Sequence, residues 1–128
     1  MRVLLDTHLL LWVAGNRRRV PKRAAELIEN PDTILMFSVV SLIEVAIKTA
    51  RSRPDFQVDA AHLRAMLLAA QYEEVEVSGD HALALGRLDT IHKDPFDRLL
   101  LAQAIVEEAT LLTSDRILSR YPGPILKV

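Results

Sequence analysis

The sequence lacks cysteine entirely, which excludes disulfides, thiolate metal sites and cysteine nucleophiles. It also lacks any apolar run near the roughly 18 residues that a membrane span needs. The apolar N-terminal stretch is interrupted by Asp6 and His8, and no convincing signal-peptide cleavage site follows it. We therefore expect a cytoplasmic protein with no membrane association.

Neither sign of charge is in clear excess, because the net charge is only −1. A protein that holds nucleic acid by bulk charge would carry a clear positive excess. Any nucleic-acid contact would therefore depend on a local basic patch.

What the sequence does have is a large hydrophobic fraction, 50% of 128 residues. A chain of this length buries about two-thirds of its unfolded surface on folding. No repeat, low-complexity segment or linker divides it. We expect one domain over residues 1–128.

Short β-prone segments alternate with helical ones along the chain. Strands are expected at residues 3–5, 33–38, 75–77, 111–113 and 125–128. Helices are expected at residues 9–14, 21–30, 41–50, 59–70, 78–88 and 95–109, with a polar loop at 51–58. This alternation predicts an α/β domain around a mainly parallel sheet, in which function gathers at the carboxyl ends of the strands.

Acidic residues from distant parts of the sequence should meet at that edge. Asp6 ends the first strand, Glu44 lies early in the helix after the second strand, and Asp115 follows the fourth strand. Asp94 and Asp97 begin the helix that leads into the fourth strand, so they lie at the same edge.

Each acid also has a local explanation. Asp6, Asp94 and Asp115 could cap the helices that follow them. Glu44 could form an ordinary helical ion pair with Lys48, four residues later. None of these explanations accounts for the common edge, which favours a shared function.

Clustered carboxylates repel one another, and a fold tolerates them when they are protonated or bind a cation. Oxygen ligands without cysteine or a histidine pair favour Mg²⁺ or Mn²⁺ over zinc. Such ions activate water and stabilise charge on a phosphodiester, which predicts a metal-dependent phosphodiesterase. Three isolated histidines receive no ligand role: His62, His81 and His92. Four other acids are predicted to be solvated: Glu73, Glu74, Glu107 and Glu108.

Four segments occur in an order and spacing that resemble the PIN-domain family: LLDTHLLLW, SLIEVAIK, HKDPFDRLLLAQA and LLTSD. More narrowly, they resemble the VapC-type toxin ribonucleases of bacterial toxin–antitoxin pairs, over essentially the whole chain. The resemblance implies a three-layer α/β/α fold with a five-stranded parallel sheet between helices, and Mg²⁺- or Mn²⁺-dependent cleavage of RNA. It also implies a homodimer and inhibition by a small cognate antitoxin protein.

The resemblance assigns roles to individual positions. It implies a catalytic, metal-binding centre of four acids: Asp6, Glu44, Asp97 and Asp115. Three hydroxyl residues would position metal or water beside them: Thr7, Thr113 and Ser114. Asp94 matches no universal position of the family, so we assign it mainly to capping and leave a contribution to the metal site open.

Several basic residues are candidates for binding the RNA backbone. Arg98 adjoins Asp97 and is the best single candidate, although pairing with a neighbouring acid is equally simple. The remaining candidates are Lys48, Arg17, Arg18 and Arg19. The arginine run is useful for phosphate contacts only if it lies beside the acids.

Three other functions compete with a toxin ribonuclease. A flap-type 5′ nuclease shares the acidic edge, but the chain has no room for extra DNA-binding helices. A receiver-like phospho-accepting domain would need an acidic pair after the first strand, where Asp6 is instead followed by Thr7 and His8. An inactive PIN-like binding module is disfavoured by the complete set of acids and stays open.

Overall fold

The computed structural model describes residues 1–51 and 58–128, so most of the loop predicted at 51–58 lies outside the described residues. The strands are β1 (Arg2–Leu5), β2 (Ile34–Ser38), β3 (Glu73–Val75), β4 (Thr110–Thr113) and β5 (Ile125–Lys127). The α-helices are α1 (Thr7–Gly15), α2 (Lys22–Glu29), α3 (Val39–Ala50), α4 (Ala60–Ala69), α5 (Gly79–Gly86) and α6 (Pro95–Val106). Two short 3-10 helices cover Arg17–Arg19 and Leu118–Arg120.

The five strands form one sheet in the order β3-β2-β1-β4-β5. All four pairings are parallel, and the central strand β1 lies between β2 and β4. The predicted five-stranded, mainly parallel sheet is therefore confirmed.

Helices cover both faces of the sheet, which gives the three layers that we predicted. Alternating side chains of β1 divide between two cores: Val3 and Leu5 pack with α1 and α4, whereas Leu4 packs against α6. Leu112 and Leu111 of β4 divide in the same way. Such alternation is the normal consequence of the two-residue period of a strand.

Several element boundaries differ from the prediction by one to three residues. Strand β3 lies two residues earlier than the predicted strand at 75–77, because Val75 is buried whereas Val77 is 45% exposed. Helices α1 and α3 begin directly after β1 and β2, because Asp6 and Ser38 cap them at the strand ends. None of the helices in the described part of the chain combines the length and apolar character needed to span a bilayer.

The immediate strand-to-helix transitions determine where polar side chains lie. Strands β1, β2 and β4 are adjacent and parallel, so their carboxyl ends lie at one edge of the sheet. Helices α1 and α3 begin at this edge, which we call the rim. The rim is thus built from residues far apart in sequence, as parallel topology requires.

Candidate active site

Asp6 is the N-cap of α1 and lies at the centre of the rim, with only 3% of its surface exposed. One carboxylate oxygen accepts a hydrogen bond from the Leu9 backbone N–H at 2.9 Å. The other accepts from the Thr113 hydroxyl at 2.5 Å. Burial raises the pKa of Asp6, and the two hydrogen bonds only partly oppose this effect.

Asp115 follows β4 and is connected to Asp6 through Thr113. The Thr113 hydroxyl, which donates to Asp6, also accepts the Asp115 backbone N–H at 2.9 Å. Oδ1 of Asp115 accepts from the backbone N–H groups of Ile117 and Leu118, so the predicted capping role is confirmed. Burial tends to raise the pKa of Asp115, but hydrogen bonds, led by that from His92, lower it overall.

Glu44 lies inside the molecule, with 2% of its surface exposed. Its Oε2 is 2.5 Å from the Lys48 ammonium group, which confirms the predicted helical ion pair. Its Oε1 is buried and has no hydrogen-bond partner. Buried polar atoms are nearly always paired, so this oxygen is available to a ligand.

Asp94 and Asp97 have different surroundings although they share the first turn of α6. Oδ1 of Asp94 accepts the Phe96 backbone N–H at 2.9 Å, which confirms its predicted role as the N-cap. The Asp97 carboxylate instead faces His92, with Oδ2 3.2 Å from the ring Nε2. Asp97 is therefore placed in the site, and Asp94 at its border.

The acids interact electrostatically at the rim. Burial is the largest influence on Asp97 and raises its pKa, to about 7 in total. Three neighbouring carboxylates contribute to the same increase: Asp94, Asp6 and Glu44. The nearby His92 opposes it only in part. The structure thus brings the predicted acids close enough to disfavour one another's charge.

His92 was expected to be isolated, and that prediction is wrong. Its Nε2 is 3.0 Å from Oδ2 of Asp115 and 3.2 Å from Oδ2 of Asp97. No periodic pattern reveals this position. Its position two residues before the Asp94 cap, and therefore near the edge where the acids were expected to meet, was the one signal that could have pointed to it.

Three of these side chains form a group that could hold a metal ion. The ligand atoms of His92, Asp97 and Asp115 all lie within 4.8 Å of one another. Carboxylate oxygens are the ligands that Mg²⁺ and Mn²⁺ prefer, and the unpaired Oε1 of Glu44 adds a buried oxygen. The residues present therefore fit a divalent cation.

The hydroxyl residues occupy different positions at the rim. Thr7 is buried, and its hydroxyl is 2.9 Å from that of Ser41, which joins the first turns of α1 and α3. Sequence reasoning did not single out Ser41. Thr113 bonds Asp6 and Asp115, as described above, while Ser114 is half-buried between Thr113 and Asp115. Thr113 thus has the most direct contact with the acids.

The basic candidates divide between the two ends of the molecule. Arg98 follows Asp97, and its buried Nε has no hydrogen-bond partner. The Arg17–Arg19 helix follows the far end of α1, about 14 Å along the helix from the rim at 1.5 Å per residue. Arg19 lies over the Trp12 ring instead. The structure does not place the three arginines beside the acids, because a helix that begins at the rim ends at the opposite edge.

A buried histidine lies outside the rim. His81 is 2% exposed, its Nδ1 accepts the Ser78 backbone N–H at 3.0 Å, and its Nε2 is 2.9 Å from Oε2 of Glu107. His81 is therefore not isolated, and Glu107 is not simply a solvated side chain. The exposure predicted for Glu73 and Glu108 is confirmed.

Comparison with known proteins agrees with this arrangement. Residues 3–124 match the profile of the family described as PIN domain. The chain is 29% identical over 126 residues to Ribonuclease VapC22 of Mycobacterium tuberculosis, covering 96% of this chain and 95% of that protein.

Solved structures share the fold at lower sequence identity. VapBC2 from Rickettsia felis, bound to a DNA fragment from its promoter, superposes with a TM-score of 0.74 at 19% identity and covers 100% of this chain and 99% of that one. A toxin–antitoxin complex from Klebsiella pneumoniae gives a TM-score of 0.67 at 20% identity, covering 98% and 96% of the two chains.

Proposed function

The chain belongs to the PIN-domain family, and we propose that it is a divalent-metal-dependent endoribonuclease that acts as the toxin of a toxin–antitoxin pair. The similarity to a ribonuclease extends over nearly the full length of both chains, which supports a ribonuclease activity. The buried, unpaired Oε1 of Glu44 beside the other acids is the single observation that carries the proposed metal dependence.

We assign the metal centre to four acids: Asp6, Glu44, Asp97 and Asp115. Mg²⁺ or Mn²⁺ bound among them would generate a hydroxide from water and stabilise the negative charge that develops on the phosphodiester. The buried position of Asp6 and its bond from Thr113 keep one carboxylate in a fixed orientation. Such preorganisation reduces the reorganisation needed in the transition state.

Neutralisation of the acids is part of the same proposal. Without a cation, burial and, to a smaller extent, the neighbouring carboxylates raise the pKa of Asp97 to about 7, so a large fraction of this group is protonated at neutral pH. A cation favours the charged form of each ligand, and binding therefore releases protons. The repulsion within the acidic centre makes the site selective for a cation over a neutral molecule.

The RNA backbone would approach the rim beside α6. We assign Arg98 a phosphate contact, because it adjoins Asp97 and its buried Nε is unpaired. Lys48 is bonded to Glu44, so its first role is to orient that acid. The arginines at 17–19 are left out of the catalytic contact because they lie at the other end of α1.

A small cognate antitoxin and a second copy of this chain are the proposed protein partners. Antitoxin pairing is supported by the likeness to structures named as VapBC or toxin–antitoxin complexes. We place the activity in the cytoplasm, where its RNA substrate is found. The family match removes the support for a receiver-like domain, and the length match to a ribonuclease disfavours a flap-type nuclease.

The direct test is cleavage of a pool of cellular RNA by purified protein, with and without Mn²⁺ or Mg²⁺, followed by sequencing of the new RNA ends. We expect cleavage at defined sites that stops on addition of EDTA. Undiminished cleavage in EDTA would refute the metal mechanism. Mn²⁺ binding without cleavage of any RNA would favour an inactive binding module.

A further inference from the structure

We infer that His92 is a positioning residue of the proposed nuclease centre, which orients Asp97 and Asp115 by donating an N–H to them without itself binding the metal. The inference rests on the proposed function and adds a residue that is not among its four acids.

Hydrogen bonds fix both the backbone and the ring of His92. Its backbone N–H donates to the Tyr121 hydroxyl at 2.8 Å, and Tyr121 is 95% buried in the turn before β5. Its ring Nδ1 accepts the Asp94 backbone N–H at 3.0 Å. The Tyr121 hydroxyl therefore fixes the backbone at His92, and the Asp94 N–H fixes the ring, which has little freedom to turn.

The bond to Nδ1 assigns the tautomer. A backbone N–H can only donate, so Nδ1 must present its lone pair to Asp94. In the neutral ring the proton then lies on Nε2. This nitrogen is the one that faces the acids.

The Nε2 proton lies between two carboxylates. Oδ2 of Asp115 is 3.0 Å from Nε2 and Oδ2 of Asp97 is 3.2 Å away. A shared donor draws together two groups that would otherwise repel one another, and it fixes which oxygen of each faces the centre. A carboxylate oxygen has two lone pairs, so each Oδ2 can accept this bond and still bind a cation.

Direct metal binding by His92 would disrupt the same arrangement. Nε2 would need its lone pair for the metal, which would move the proton to Nδ1. The Nδ1 proton would then face the Asp94 N–H, and that hydrogen bond at the start of α6 would be lost. The observed contacts therefore favour a role in orientation over a role as ligand.

Two substitutions separate these functions of the ring. The side chain of His92→Asn is short, so it retains an acceptor near the Nδ1 position but no donor that reaches the acids. His92→Gln places an amide N–H near the Nε2 position. An exposed histidine on α4 provides the control, His62→Gln.

Mn²⁺ affinity, measured by calorimetry on the full chain, is the main readout. We expect His92→Asn to bind Mn²⁺ about 10–100-fold more weakly, as for other residues that orient metal ligands. His92→Gln should recover most of this loss, and His62→Gln should match the parent. An affinity of His92→Asn equal to that of the parent, or tighter, would overturn the inference.

Spectroscopy of the parent protein tests the same point without a variant. In the metal-free protein labelled with ¹⁵N-histidine, NMR should show the His92 proton on Nε2. In the Mn²⁺-loaded protein, pulsed EPR should show no directly coordinated histidine nitrogen. A coordinated nitrogen that disappears in His92→Gln would make His92 a ligand and refute its positioning role.

The outcomes also separate this inference from the proposed function. A parent protein that neither binds Mn²⁺ nor cleaves RNA would remove both. A parent that does both, together with a fully active His92→Asn, would remove only the role of His92.

Discussion

His81 and His92 both contact carboxylates, yet their surroundings differ. His81 lies in a network whose polar atoms are all paired: it bonds Ser78 and Glu107, while the Gln103 amide donates to the Glu76 carbonyl. His92 lies at the rim, where Glu44 Oε1 and Arg98 Nε are buried without partners. The Tyr72 hydroxyl is the third such atom in the described part of the chain.

The difference indicates which cluster stabilises the fold and which prepares a ligand site. A fully paired buried network keeps its elements in one arrangement, and each broken bond lowers stability. A cluster with unpaired atoms and mutually repelling acids costs stability unless something binds there. Substitutions should therefore affect stability around His81 and activity around His92.

The largest expected effect is the loss of RNA cleavage when Asp97, the acid partner of His92, is replaced, compared with replacement of Glu107, the acid partner of His81. Asp97→Asn should reduce RNA cleavage by at least about 10³-fold, as for other residues that act in a catalytic unit. Glu107→Gln should keep the parent rate, because Glu107 lies in the His81 network. Initial cleavage rates at saturating Mn²⁺ provide the measurement. Equal losses in both variants would mean that the two clusters do not differ in function.

The next largest expected effect is a dependence of stability on pH that arises from Asp97 at the rim. Without metal, folded Asp97 has a pKa near 7, whereas an unfolded Asp titrates at about 4. The folded state therefore binds more protons between these pH values, and its stability falls as the pH rises from 5 to 8.

We expect this loss to be about 2–3 kcal/mol and to be much smaller in Asp97→Asn. Urea unfolding in EDTA at both pH values measures it. Glu26→Gln, an exposed substitution on α2, should retain the parent dependence. If Asp97→Asn has the same pH dependence as the parent, the pKa of Asp97 is not raised in the folded protein.

A smaller effect is expected from disrupting the paired network. His81→Ala removes the partner of Glu107 and of the Ser78 N–H, and should lower stability by about 1–2 kcal/mol. Its cleavage rate and Mn²⁺ affinity should stay at parent levels at a temperature where both proteins are folded. A strong loss of Mn²⁺ affinity with little change in melting temperature would reverse the roles of the two histidines.

The smallest expected effect is the loss of stability when Asp94, at the border of the rim, is replaced. Asp94→Ala should cost about 1 kcal/mol, the usual loss for an N-cap, and should leave most of the activity. Asp94→Asn can still cap α6 and should restore the stability, which isolates the effect of charge. Thermal unfolding and cleavage rates provide the comparison. Loss of activity in the stable Asn variant would place Asp94 within the metal centre.

The sequence was sufficient to predict the fold class and the common edge of the acids. Strand ends are recognisable where apolar runs stop at Asp6 and before Asp115, and parallel topology then requires a shared edge. The position of β3 was missed because acidic and apolar residues alternate from Glu74 to Val77, and a shift of two residues along such a pattern keeps the same side chains on each face.

The surroundings of His92 were not predictable in this way. Its backbone N–H bonds the hydroxyl of Tyr121, which lies 29 residues later in the sequence, and its ring bonds the Asp94 backbone. Hydrophobic periodicity carries no information about such contacts. The same applies to His81 and Glu107, whose 26-residue separation hides their pairing until α5 and α6 are packed together.

The position of β1 between β2 and β4 has a consequence for the synthesis of the protein. The segment with Asp6 emerges from the ribosome well before β4 and Asp115, which follow it in the sequence. Until then β1 lacks one neighbour, and the acidic centre lacks its last member. A nascent chain that has not yet exposed Asp115 therefore has no assembled rim, and any activity that needs all four acids can begin only after that residue has emerged.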